Sequence, residues 1–347
     1  MIMVATPSPD NYQLGKGVIF FNEKVDGVFQ GERDLGNAPN FTFNMSLEKL
    51  EHFSSRGGLK AKDKSIISQI TPACSFTLEE INADNFALLS MANSTAGSQT
   101  EGYVEAASYT APINLDRTID LAHRNIGATK LIHGAVTPGN FAVGDTITGG
   151  TSSQTGICSY VGSGYIYVVG SNGNADGPSG WDEPAETISN GTDSAALTAI
   201  GEFVVGGPIY VTGPSATPEY ASGTDYEFST AAGMGRAGRI KLLSGGTLAA
   251  SGGIEVTYDY DAATWNTLTA FTKTTIEGTL RFLSDNPVGG NQELQIWKVS
   301  LTPDGDTAMI GDDWSTLSFT GEILKVEGTS WDSVDHSSNP YMEIIIE

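Results

Sequence analysis

Residues 172–177 read Asn-Gly-Asn-Ala-Asp-Gly, and Glu183 follows at the distance where a calcium loop carries its last ligand. Asn172, Asn174, Asp176 and Glu183 would then supply oxygens, and Gly177 would permit the turn that converges them. Against this, the first donor is an amide, Pro178 and Ser179 stand where an apolar anchor belongs, and the flanks are patterned as strands. The stretch reads as a polar surface loop in which calcium is only a candidate, and no cofactor is expected. Residues 233–238, Gly-Met-Gly-Arg-Ala-Gly, spell a dinucleotide fingerprint, but that site needs a helix after its glycines to present amides to pyrophosphate. A strand pattern, Arg239-Ile240-Lys241-Leu242-Leu243, follows instead, so the glycines read as a hairpin turn. His52, His123, His133 and His336 are scattered, with no zinc-hydrolase or nucleophile-elbow spacing around them. The acid pairs Glu79-Glu80, Asp182-Glu183 and Asp312-Asp313 read as solvent-facing, and the five tryptophans could stack sugars or simply fill cores. Cys74 and Cys158 belong to no CxxC or Cys/His cluster, which leaves neither a disulfide framework nor a zinc site. No catalytic constellation emerges, and the expectation is a protein that is not an enzyme.

The elements around these residues are those of a turn-rich β protein. Of 347 residues 42 are glycine, and the charge of −23 comes from 18 Lys and Arg against 41 Asp and Glu. Such an acidic chain is poorly suited to gripping nucleic acid by neutralising phosphates. No apolar run reaches the ~20 residues of a membrane span, and the first residues lack the basic start and apolar core of an export signal. Phe41, Phe43, Met45 and Leu47 alternate with Thr42, Asn44, Ser46 and Glu48, the period of a strand with one buried face. After the turn Ser54-Ser55-Arg56-Gly57-Gly58, Ile70, Cys74, Phe76 and Leu78 alternate with Gln69, Thr71, Ser75 and Thr77. The two runs predict one long hairpin, apolar on one side and small-polar on the other, whose apolar side packs on the protein's own core. A capped helix is expected within 78–91, and further strands near 117–123, 209–212, 238–243, 254–260, 277–283, 293–301, 317–326 and 342–346.

Between 131 and 206 there is no Lys or Arg, and Gly-rich joints close both ends. This predicts an inserted β-module, with 1–130 and 207–347 forming one discontinuous β-sandwich domain. Inside the module, Asp145-Thr146-Ile147-Thr148-Gly149-Gly150-Thr151-Ser152-Ser153 recurs as Glu186-Thr187-Ile188-Ser189-Asn190-Gly191-Thr192-Asp193-Ser194. A strand and tight turn used twice suggest two related hairpins packed face to face and exposed on the surface.

Residues 31–39, Gly-Glu-Arg-Asp-Leu-Gly-Asn-Ala-Pro, and 50–58, Leu-Glu-His-Phe-Ser-Ser-Arg-Gly-Gly, resemble the tail tube (major tail) proteins of long-tailed bacteriophages. So do 75–81, Ser-Phe-Thr-Leu-Glu-Glu-Ile, and the patterns at 220–228, 286–290, 310–314 and 319–324. The likeness is a loose pattern over about 10–130 and 207–335, and the inserted module and the 233–238 turn depart from it. It implies a mainly β, antiparallel sandwich with one short helix. Such subunits associate into hexameric rings that stack into a hollow tube, the conduit for genome ejection. The virion tail is then the expected location, assembled in the host cytoplasm. Partners implied are further copies of the chain, the tape measure protein, the tail terminator and distal tail or baseplate proteins, with no membrane contact. In that frame Ser54, Ser55, Arg56, Gly57 and Gly58 contact a neighbouring subunit, and Thr42, Asn44, Ser46, Glu48, Gln69, Thr71, Ser75 and Thr77 face the lumen. Neutral hydroxyls and amides there let DNA pass without being held, because only a cationic wall would release its counterions. Glu48 could instead pair across a subunit interface. The rival reading is a β-rich adhesin or carbohydrate-binding protein of a phage or cell surface, which the aromatic content and the module also suit.

Overall fold

The computed structural model describes residues 12–110, 114–172, 180–181, 186–199, 201–229, 237–248 and 253–346. These are dominated by antiparallel strands, with a single α-helix among them. Strands Ile254–Tyr260 and Met342–Ile346 lie where the alternation put them, and those near 277–283 and 293–301 extend one or two residues further at their ends.

The chain divides into two compact units, 1–95 with 266–347, and 96–265. The division differs from the one expected at 131 and 207, and the reason is strand pairing. Ile126–Ile132 starts before the expected junction and pairs with Tyr165–Asn172, Glu202–Val205 and Ile254–Tyr260. One 11-stranded sheet therefore runs through both junctions. The 131–206 stretch does have its own core, in which Leu131, Ile147, Cys158, Ile166, Trp181 and Ile188 are fully buried. A second cluster in the same unit gathers Ile126, Val211, Ile240, Val256 and Tyr258.

The two copies of the repeat are paired edge to edge, not packed face to face. Thr146–Gly149 lies antiparallel to Thr187–Ser189, with Thr148 opposite Ser189 and Gly149 opposite Ile188. Each copy then turns into its own hairpin, the first with Thr155–Gly162 and the second with Ser194–Ala196. The acid that opens each copy serves the turn of the other. Glu186 Oε1 accepts hydrogen bonds from the amides of Thr151 (2.9 Å) and Ser152 (2.6 Å), and Asp145 Oδ2 accepts from Asn190 Nδ2 (2.8 Å). Part-buried amides of a turn's backbone or side chains are stabilised by such acceptors, which accounts for an acid before Thr-Ile in both copies.

In the first unit seven strands of a nine-stranded sheet run Val28–Phe29, Gly17–Val25, Ile276–Ser284, Gln292–Pro303, Leu317–Ile323, Ala61–Leu78, Asn40–Ser54, while Arg33–Asp34 pairs with Gly17–Val25 and Met342–Ile346 with Gln292–Pro303. Its core holds Ile19, Phe21, Leu280, Ile296, Leu301 and Phe319 together with Cys74, Phe76 and Leu78 from the long hairpin. Phe76 stacks on Phe319 at 5.2 Å and Phe41 on Phe282 at 5.1 Å. The helix Ala83–Leu89 begins at Asn82, whose side chain accepts from the Asn85 amide as an N-cap should. Buried Asn85 ties it to the chain before the hairpin, donating to Leu35 O (2.9 Å) and accepting from Arg33 (2.7 Å).

Candidate functional site

The long hairpin is anchored only at its root. In Ala61–Leu78, Cys74, Phe76 and Leu78 alternate as buried residues, whereas 61–70 are exposed throughout. Asn40–Ser54 is exposed on both faces over 43–53. The expected faces are present: Thr42 is opposite Ser75, Asn44 opposite Ala73, Ser46 opposite Thr71 and Glu48 opposite Gln69. Thr42 and Ser75 share a 2.7 Å hydrogen bond, and Gln69 Nε2 donates to Thr71 Oγ1 (3.1 Å). Asn40 opposite Thr77 continues this polar row to the root. Glu48 forms no ion pair among the described residues.

The apolar side departs from expectation, because its outer part does not pack on the subunit's own core. Phe43, Met45, Leu47 and Ile70 each keep between 42% and 50% of their surface in water. Leu50, Phe53, Ile66 and Ile67 are also open beyond them. The root thiol, Cys74, is buried and pushed up to about 12 by that burial, which makes it packing and not chemistry. Asn40–Ser54 is also the terminal strand of its sheet, so among the described residues 15 residues of backbone edge lack a neighbour on one side. Two irregularities, at Glu48/Lys49 and His52/Phe53, twist this ribbon on its way out.

At the tip, 49–64 carries Lys49, Arg56, Lys60, Lys62 and Lys64 against Glu51 and Asp63. Five of the chain's 18 cations thus meet two of its 41 acids: 5 − 2 = +3 on a protein of charge −23. Lys62 pairs with Glu51 and His52 with Asp63 (2.5 Å), both in the open, where such pairs contribute about 0–1 kcal/mol. Lys49, Arg56, Lys60 and Lys64 have no ion pair among the described residues, and Ser55, Arg56, Gly57 and Gly58 are exposed while Ser54 is half-buried at the strand end. Sequence reasoning singled out Arg56 but missed this cluster, although it was readable as five basic residues in a chain so short of them.

A second uncovered surface lies in the same unit, in the loop between Gln292–Pro303 and Leu317–Ile323. There Met309, Ile310 and Trp314 are 74%, 98% and 92% exposed, and Trp314 is the only open one of the five tryptophans among the described residues. Asp304, Asp306, Asp312 and Asp313 surround them, with no Lys or Arg between Lys298 and Lys325. The loop is apolar and acidic where the hairpin tip is apolar and basic.

No group of His, Cys, Asp and Glu among the described residues is placed to hold a metal ion. Asn172 ends a strand opposite Thr155, and the other calcium candidates, Asn174, Asp176 and Glu183, lie outside the described residues, as do 233–236 of the glycine turn. No helix among the described residues is long and apolar enough to cross a membrane.

Fold and site together define a mainly β, antiparallel protein of two units, one of which extends a hairpin whose outer apolar face stays open among the described residues. Over residues 12–146 and 183–333 the sequence matches the family described as protein of unknown function UCP028589, and the chain belongs to that family. The match passes over 147–182, which takes in most of the first copy of the repeat and nearly all of the stretch that separates it from the second. No curated protein matches the sequence.

Proposed function

We propose that the protein is a self-assembling structural subunit, the major tail tube protein of a bacteriophage, whose stacked hexameric rings form the conduit for genome ejection. What carries the reading is that one chain has two uncovered apolar surfaces of opposite charge, the hairpin at 43–70 and the loop at 304–314. Burying the exposed half of each hairpin side chain contributes about 1 kcal/mol, and eight such residues supply a drive that no monomer uses. Surfaces at different places on one subunit join copies head to tail, an arrangement that closes into rings or extends into filaments. Seating the hairpin tip of one copy on the acidic loop of the next gives the four unpaired cations carboxylate partners and steers the docking. The long open strand edge is then paired as well, which removes an aggregation hazard.

In such a ring the row Thr42, Asn44, Ser46, Glu48, Gln69, Thr71, Ser75 and Thr77 lines the lumen. Duplex DNA carries a charge about every 1.7 Å of axis, and a wall of hydroxyls, amides and carboxylates offers its phosphates no cation whose pairing would release counterions and hold the duplex. The tape measure, tail terminator and distal tail proteins are the partners this role requires.

Negative-stain microscopy of concentrated protein tests the reading: regular hollow rods are expected, and their absence across salt and concentration would sink it. Arg56→Glu should remain folded by circular dichroism and lose the rods. Adding Asp312→Lys and Asp313→Lys to that variant should restore them. Rods in Arg56→Glu equal to those of the unaltered protein would remove the tip from the contact.

A further inference from the structure

The second unit holds a cavity of about 640 Å³, within the range of small-molecule sites, and its walls are made largely of tyrosine. One wall comes from the hairpin Thr155–Gly162 and Tyr165–Asn172. Tyr160 stands opposite Tyr167 in the register, and Tyr165 shares their face. Their ring centroids lie 5.8–6.2 Å apart, with Tyr165 and Tyr167 at right angles. The facing wall holds Tyr210, Glu219 and Tyr220 from the paired strands Tyr210–Thr212 and Glu219–Tyr220. Tyr210 donates its hydroxyl proton to Glu219 Oε1 (2.9 Å), and burial, followed by that bond and the carboxylate's charge, raises the phenol and keeps it protonated. Glu219 Oε2 has no hydrogen-bond partner among the described residues, nor have the hydroxyls of Tyr160, Tyr165, Tyr167 and Tyr220. Room for the carboxylate comes from Gly144, where φ is +87° and a Cβ would collide with Glu219.

We propose that this cavity binds a neutral or N-acetylated saccharide. The warrant is the pairing of flat apolar rings with hydroxyl tips and one carboxylate. A pyranose offers the matching surface, a C–H face for the rings and a rim of hydroxyls that both donate and accept. Ligands of other chemistry fit less well. The lining contains no Lys or Arg to receive a phosphate, sulfate or uronate, and Glu219 repels all three. Lys130 Nζ is engaged over the Tyr165 ring, 4.7 Å from its centroid. An acyl chain would call for aliphatic walls, and here six tyrosines and a carboxylate line the space between Val143, Ile209 and Val211. The origin of the two walls is a separate observation. Tyr210, Glu219 and Tyr220 lie in the part of the chain that matches the family, while Tyr160, Tyr165 and Tyr167 lie in 147–182, which the match passes over. The tyrosine hairpin thus adds a second wall to a cleft whose first wall lies in the family-matched part of the chain.

The inference does not rest on tube assembly, and its test uses the full chain in solution. A panel of neutral, N-acetylated and uronate-containing trisaccharides is titrated into the protein by calorimetry, with a proline-rich peptide and a medium-chain fatty acid as controls. At least one neutral or N-acetylated member should bind saturably, and the uronates should not. Tyr167→Ala should weaken that binding by about ten-fold or more, the effect of removing an aromatic anchor. Glu219→Gln, which keeps the shape and removes the charge, should weaken neutral sugars and admit uronates. The inference is overturned if no neutral saccharide binds, if both variants bind as the unaltered protein does, or if the peptide or fatty acid binds in place of the sugars. Rod formation is scored on the same samples, so a failed sugar site and a failed tube reading give different results.

Discussion

The long hairpin of the first unit and the twinned hairpins at 145–196 of the second use the same element for opposite ends. Each alternates apolar and polar side chains and turns through glycine. In the twinned pair, Ile147, Ile188 and Ala195 are buried, the turn amides are held by Glu186, and no cation appears anywhere in the stretch. The long hairpin buries only its root, leaves Met45, Leu47 and Ile70 half in water, and carries four cations with no ion pair among the described residues. One hairpin meets its requirements inside the molecule, and the other leaves them to be met from outside. Exposed apolar area with unbalanced charge is the form an interface takes before its partner arrives.

The largest effect should come from placing charge on the outer apolar face. Met45→Asp, Leu47→Asp and Ile70→Asp together should abolish higher-order species in sedimentation velocity and leave the thermal midpoint of the monomer unchanged within a few degrees. These side chains touch water already, so the folded monomer loses little. A large fall in that midpoint would mean the face is covered within the subunit, and the contrast between the hairpins would collapse.

Glu186→Ala tests the other side of the comparison. It strips the acceptor from two part-buried turn amides, a loss of about 2–4 kcal/mol in the stability of the second unit by denaturant titration. Assembly of the folded fraction should persist. If stability holds and assembly fails, the twinned hairpins are also an interface. A smaller effect is expected from Asp145→Ala, about 1 kcal/mol, because Asp145 is half-buried and its Oδ2 accepts from Asn190 and from the Ala142 amide, both with access to water. Equal losses in the two variants would show that the copies are more symmetric in energy than in burial.

Much of the fold was legible because its signals are local. Alternation placed the faces of 41–48 and 69–78, the Asn82 cap located the helix, and the acid before each Thr-Ile revealed the repeat. Less could be read where the deciding neighbour is distant in sequence. The copies of the repeat meet edge to edge because Gly149 pairs with Ile188, and the unit boundary shifted because Ile126–Ile132 pairs across three separate stretches. The tyrosine cavity escaped notice for the same reason, since Tyr165 and Glu219 come together only through the sheet that carries them.

The sequence by itself determined the mainly β class, the two-faced character of the long hairpin and the concentration of positive charge at its tip. These follow from side-chain chemistry and a two-residue period, which are fixed once the order of residues is fixed. Only the tertiary structure decided which apolar residues are covered. Met45 and Phe76 look alike in the pattern, yet Phe76 stacks on Phe319 in the core and Met45 projects past the last strand that could shelter it. Burial is a property of what lies opposite, and what lies opposite is set by pairing between strands far apart in the chain.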